Sequence, residues 1–247
     1  MGAADLILLL AAGLGAGVVG YVTGMASLVS YPALLLVGLS PLESNVTNTV
    51  ALVAVGIGSF AKSGRELTAG DGGRSLGQSA VVALAGGAVG AGLLLVLPAE
   101  VFGFVAPYLV GIAAIALLLQ PSLRQLSHGV DRPALWLAGV FVVAIYGGYF
   151  GAGAGVIFLA LAMLLISLPL WKATLLKSAL LGVSNAVAAV AFAFFGPVHW
   201  VAALTMGLGC LLGGWIGPPI VARLPAQPLR IAIGLGGIGL AMWLALG

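Results

Sequence analysis

Ten apolar stretches follow one another along the chain, at about 5–22, 28–39, 45–61, 76–97, 102–120, 134–150, 156–167, 173–195, 200–222 and 229–246. The breaks between them hold most of the charge and much of the proline. The runs are continuous, whereas strands of a transmembrane barrel alternate over about ten residues. They therefore predict helices. Eight are long enough to cross an apolar layer of about 30 Å at about 1.5 Å per residue. The second and seventh, with about twelve residues and about 18 Å of helix, are not. Each of these follows a stretch of small residues, Thr23-Gly24-Met25-Ala26-Ser27 and Gly151-Ala152-Gly153-Ala154-Gly155. Short, interrupted segments at matching places in two halves are a sign of a carrier built from internal repeats, with its site at the interruptions.

The halves align. A shift of 128 carries Gly20-Tyr21 onto Gly148-Tyr149, Pro41-Leu42 onto Pro169-Leu170 and Ala51-Leu52 onto Ala179-Leu180. A shift of 127 carries Gly86-Gly87-Ala88-Val89-Gly90 onto Gly213-Gly214-Trp215-Ile216-Gly217, and Leu97-Pro98-Ala99 onto Leu224-Pro225-Ala226. The landmarks keep register through the half, which predicts a duplication with boundaries at 1–125 and 126–247. Five segments per unit is an odd number, so the second copy is expected to lie inverted in the bilayer. Whether the first two segments of each half cross fully or form a hairpin reaching the midplane does not change that parity.

Composition narrows the class. The chain has 247 residues, 62% hydrophobic and 6% charged, against roughly 25% charged in soluble domains. Fifteen charged side chains cannot cover a soluble fold of this size, and the expectation is an all-α polytopic membrane protein. One cysteine, Cys210, excludes a disulfide scaffold and reads as a core residue. A net charge of +3, widely scattered, gives nucleic acid nothing to bind. Asp5 and no basic residue opens the chain, so the first apolar run is expected to stay in the mature protein.

If all ten segments alternate, Lys62, Arg65, Arg74, Arg124, Arg132, Lys172, Arg223 and Arg230 fall on one side and no basic residue on the other. The positive-inside rule then places both termini on the outer face of a cytoplasmic membrane, of prokaryotic type.

The candidate chemistry is sparse. Glycine-rich turns at Gly24, with Ser27 after it, and at Gly151, Gly153 and Gly155 can offer bare backbone N–H groups at helix starts, where the helix dipole favours an anion. The alternative use of such glycines is close helix packing. Asn45, Asn48 and Thr49 open the third segment; polar side chains there line a site, or Asn45 simply caps its helix. Lys177 is the deepest cation and either meets an anion or snorkels to the interface. Ser178, Ser184 and Asn185 share its helix and can extend a polar face or bond their own backbone.

The acidic residues Asp5, Glu43, Glu66, Asp71, Glu100 and Asp131 all lie at segment ends or in loops, which weighs against a carboxylate proton relay. Trp136, Trp171, Trp200 and Trp243 read as interface anchors, and His199 as interfacial. No nucleophile–base set, metal-ligand spacing or nucleotide fingerprint is present, so neither an enzyme nor a cofactor or metal is expected.

In its second half the chain runs Gly147-Gly148-Tyr149-Phe150-Gly151-Ala152-Gly153-Ala154-Gly155, then Leu168-Pro169, Gly196-Pro197-Val198-His199-Trp200 and Gly213-Gly214-Trp215-Ile216-Gly217. This resembles the TauE/SafE family of membrane permeases. The first half keeps Pro32 but has Thr23, Met25 and Ser27 where the family has a glycine cluster. The second half has Ala160 where a proline is usual, and Leu176-Lys177 where a Thr-Ser-like pair is common. The resemblance implies a permease for sulfite or another small organosulfur anion, working by alternating access between two inverted halves. The partners expected are a small anion and the lipid bilayer. An anion channel and a non-transporting accessory subunit are the competing readings. Glycine-rich faces suit packing within one chain and between chains alike.

Overall fold

The computed structural model describes residues 1–23, 25–53, 72–125, 132–166, 170–221 and 226–246. They form ten helices and, among the described residues, no strand. These are α1 (Ala3–Thr23), α2 (Ser27–Leu36), α3 (41–53), α4 (Gly72–Val96) and α5 (Ala99–Gln125), then α6 (Pro133–Tyr149), α7 (Ala154–Leu165), α8 (Leu170–Phe195), α9 (Trp200–Val221) and α10 (Ala226–Leu246). Four contain stretches long and apolar enough to cross a membrane: Ala3–Gly20, Leu76–Val96, Ala99–Leu119 and Lys172–Phe195. The loops carrying Lys62, Arg65 and Arg223 lie outside the described residues.

Local chemistry sets the helix ends. After α2, Gly38 at φ 89° sends its N–H to Leu35, and Leu39 sends its own back to Leu34, a Schellman ending that needs the left-handed glycine. Two residues later a capping box begins α3. The Ser40 N–H donates to the Glu43 carboxylate at 3.0 Å, and the Glu43 N–H donates to the Ser40 hydroxyl at 3.3 Å. Pro41 takes the first helical position, where its missing N–H costs nothing. The helix therefore starts at 41, four residues before the apolar run. Asn45 lies inside it and does not cap it.

Large apolar side chains point outward, Trp215 being 88% exposed, while much of the interior is alanine, glycine and serine. Backbones approach closely as a result. A side chain on Gly13 or Gly17 of α1 would run into the carbonyls of Met206 or Cys210 on α9. One on Gly209 or Gly213 of α9 would strike those of Leu10 or Leu14. The α4–α6 contact is built alike, with Gly86 against Phe141, Gly90 against Ile145 and Gly148 against Gly87. A shift of 127 carries Leu14 and Gly86 onto Phe141 and Gly213, so the two contacts join matching positions under that shift.

The same exchange of partners relates several further contacts. The α1–α9 contact answers α6–α4, α1–α2 answers α6–α7, and α2–α10 answers α7–α5, while α5–α10 maps onto itself. Residue numbers rise together across α1–α9 and across α4–α6, so those pairs are parallel. Gly111, Ala114 and Leu118 of α5 meet Ala241, Gly237 and Gly234 of α10 in falling order, so that pair is antiparallel.

The two short helices each fold back on the helix before them. Gly15 and Gly20 of α1 face Val29 and Ala26. Gly139 of α6 faces Leu161, and the Arg132 N–H reaches the Leu165 carbonyl at 3.2 Å. The tip of the α6–α7 hairpin stops beside the middle of α5: a Cβ on Gly153 would lie 2.8 Å from that of Ala113.

Trp136 departs from its expected place at the interface. It is 4% exposed, stacks edge-on against Phe158 and donates its indole N–H to Ser79 of α4 at 3.0 Å. A tryptophan near a helix end can serve either use, and here α4 supplies the hydroxyl partner that burial requires. Trp200 and Trp243 are exposed, and Cys210 is buried.

Candidate functional site

The two hairpin tips meet in the central core. Met25, just before α2, and Leu28 and Tyr31 within it share one core cluster with Phe150 and Ala152 of the α6–α7 turn and Val156 of α7. Phe150 is the shared piece. It stands edge-on to Tyr31 at 5.6 Å and close to Phe102 of α5 at 5.9 Å.

The α6–α7 turn is shaped by two glycines in the left-handed region, Gly151 at φ 79° and Gly153 at φ 76°, a conformation that other residues adopt only at a cost. α6 closes with the N–H groups of Phe150 and Gly151 both on the Tyr146 carbonyl. The Tyr146 hydroxyl then donates to the Ala152 carbonyl at 2.5 Å. Gly153 precedes α7 with no side chain capping it. The Ala154 and Val156 N–H groups bond back to Gly151 and Gly153, while those of Ala152, Gly153 and Gly155 have no acceptor among the described residues. All three residues are buried. Buried N–H groups without an acceptor are rare in proteins, and the first N–H groups of a helix have no partner within it.

Helix α3 reaches this turn. Asn45 donates its side-chain amide to the Tyr149 carbonyl at 2.8 Å, and its Oδ1 is buried with no partner among the described residues. Thr49 spends its hydroxyl on the Asn45 carbonyl at 3.0 Å. Asn48 accepts at 2.5 Å from Ser30 of α2, tying the first hairpin to α3. From the other side Asn185 of α8 faces Gly151, its Oδ1 3.8 Å from where a Cβ there would stand.

The structure thus joins Asn45 to the turn of Gly151, Gly153 and Gly155, and reaches Asn48 and Thr49 through the same helix. Ser27 is buried at the start of α2, and Gly24 lies outside the described residues. Lys177 is 3% exposed, enclosed by protein instead of extended to the interface. It lies about 12 Å along α8 from Asn185 and on the face of Ser184, which bonds the Ala144 carbonyl of α6 at 3.0 Å. No described contact links it to Asn45. Ser178 bonds its own helix, at the Thr174 carbonyl, 2.9 Å away.

Ser30 and Tyr146 carry no sign of their bonds in the sequence, because a lone serine or tyrosine in an apolar run reads as core. His199 also has a definite task. Its backbone N–H donates to Thr47 at 3.0 Å, and its Nδ1 accepts from the Ala202 N–H at 3.3 Å, capping α9. Among the described residues no group of His, Cys, Asp or Glu could hold a metal.

No solved structure matches the chain. A probable membrane transporter protein, ORF9, of a Sinorhizobium species is 29% identical over 232 residues, covering 92% of this chain and 87% of the relative. The family model described as sulfite exporter TauE/SafE matches residues 9–244. The chain belongs to the TauE/SafE family and is a membrane transporter, built of helices with no catalytic role.

Proposed function

We propose that the protein carries a small anion, sulfite or another small organosulfur anion, across a prokaryotic cytoplasmic membrane. The observation that carries this reading is the start of α7, where three buried residues have N–H groups without acceptors among the described residues, in the turn that Asn45 joins at Tyr149. An uncapped helix start in a low-dielectric interior favours an anion and costs free energy when empty. The site residues are Asn45, Asn48, Thr49, Gly151, Gly153 and Gly155, with Gly24 and Ser27 at the matching turn. Lys177 and Ser178, about two turns away along α8, belong in this reading to the path of the anion. The family's name supports a sulfur oxyanion as cargo.

The halves 1–125 and 126–247 act as inverted repeats in this reading, with both termini outside. The exchange of contact partners five helices apart supports it, as does the Leu14–Gly213 contact mirrored by Phe141–Gly86. Rocking of one half against the other would open the central tips to each side in turn.

The test is counterflow of radiolabelled sulfite in liposomes holding only this protein, with thiosulfate, sulfate and a short sulfonate as competitors. Saturable counterflow with selective competition is expected. Flux that never saturates would make it a channel. No flux in vesicles shown to hold folded protein would remove the sulfur-anion assignment.

A further inference from the structure

The start of α7 offers donors; Asn45 offers the opposite. Its amide nitrogen is spent on the Tyr149 carbonyl, which fixes the way the group faces, and its Oδ1 is buried with no partner among the described residues. A carbonyl oxygen only accepts. At 1% exposure the residue receives little from bulk solvent. An anion's own oxygens cannot satisfy it, because they are acceptors too. The missing partner is a cation or a hydrogen-bond donor.

The surroundings disfavour a cation. The neighbouring end of α7 carries positive partial charge, and the Tyr149 carbonyl already accepts from the Asn45 amide. Helices α2, α6, α7 and α8 contain no Asp or Glu to balance a positive ion, and Glu43 of α3 is partly exposed and held by Ser40 at the helix start. A donor carried on an anion satisfies both sides of the site. Resting on the anion-carrier reading, we infer that the transported species is a singly charged anion bearing one O–H. The amides of Ala152, Gly153 and Gly155 hold its oxygens, and Asn45 Oδ1 receives its hydrogen. For a sulfur oxyanion this is the singly protonated form in its O–H tautomer, not the dianion. Desolvation points the same way, since stripping water from a second charge in a low-dielectric interior costs far more than from one.

The test uses the full chain in liposomes and two stable sulfonates of equal charge and closely similar size, 2-hydroxyethanesulfonate and propane-1-sulfonate, as inhibitors of sulfite uptake at one pH. The hydroxyl compound should inhibit at about tenfold lower concentration, the worth of one buried hydrogen bond. That ratio should fall to about one in Asn45→Ala. A second readout needs no variant. The half-saturating total sulfite should rise about tenfold per pH unit above the second ionisation of sulfite, while inhibition by propane-1-sulfonate stays flat. The flat control guards against titration of the groups on surrounding elements: Tyr31, Glu43, Tyr146, Tyr149, Lys177 and His199.

Equal inhibition by the two sulfonates, or tighter sulfite binding as the dianion accumulates, would overturn the inference and leave the carrier reading standing. So would an affinity that rises with sodium, which would place a cation on Asn45. Absence of any saturable uptake by the unaltered chain would overturn both.

Discussion

The side-chain amide of Asn45 donates to the backbone carbonyl of Tyr149 at 2.8 Å, across 104 residues of chain. The bond fastens α3, from the first half, to the tip of the α6–α7 hairpin, in the second. A carboxylate here would lose the donor and place a fixed negative charge beside the uncapped helix start. Asn45→Asp should therefore cut anion uptake by about a hundredfold, since like charges at close range cost several kcal/mol. Uptake kinetics and a size-exclusion profile of the purified variant check this together. Undiminished uptake would move the anion away from α7.

Gly153 combines a left-handed backbone with a close neighbour, a Cβ there falling 2.8 Å from that of Ala113. Gly153→Ala should destabilise the fold by about 1–3 kcal/mol, through backbone strain and overpacking together. Gly92→Ala, on α4 with nothing within 4 Å of the new methyl, should change stability little. Thermal unfolding in one detergent compares the two. Equal melting temperatures would mean that the turn adapts freely.

The paired helix contacts make a symmetric prediction. A Cβ on Gly86 would lie 2.6 Å from the Phe141 carbonyl, and one on Gly213 would strike that of Leu14. Gly86→Leu and Gly213→Leu should each lower stability, by comparable amounts of about 1–3 kcal/mol or more. Gly214→Ala, one residue away in open space, should not. A strong effect of one leucine and none of the other would argue against equivalent roles for the two contacts.

Lys177 is enclosed at 3% exposure, on the face of α8 that carries Ser184. Lys177→Gln keeps length and hydrogen bonding but removes the charge. It should weaken anion uptake by about tenfold, the scale of one charge-assisted contact. Unchanged half-saturation would make Lys177 a residue of helix packing alone.

The helical membrane class and the shortness of α2 and α7 are legible in the sequence, because continuous apolar runs and their lengths are enough to read them. The start of α3 was legible too in Ser40-Pro41-Leu42-Glu43, a capping box placed before the apolar run, but hydrophobicity alone put it four residues late. The joining of Asn45 to Tyr149 was not legible. An asparagine near a helix start looks the same whether it caps its own helix or reaches across the molecule, and only packing decides between them. Trp136 shows the same ambiguity. Its position suits an interface anchor, and the Ser79 hydroxyl that draws it inward sits on another helix. The roles of Ser30 and Tyr146 rest likewise on partners that the local pattern does not name.

The most direct test of the central claim is to locate the anion itself. Diffraction from crystals of the full chain soaked with selenite, a heavier analogue of sulfite, shows the selenium by its anomalous signal. One peak is expected at the start of α7, within hydrogen-bonding reach of the Gly153 and Gly155 amides and beside Asn45. A peak elsewhere, with that helix start left empty in a protein that carries sulfite, would contradict it.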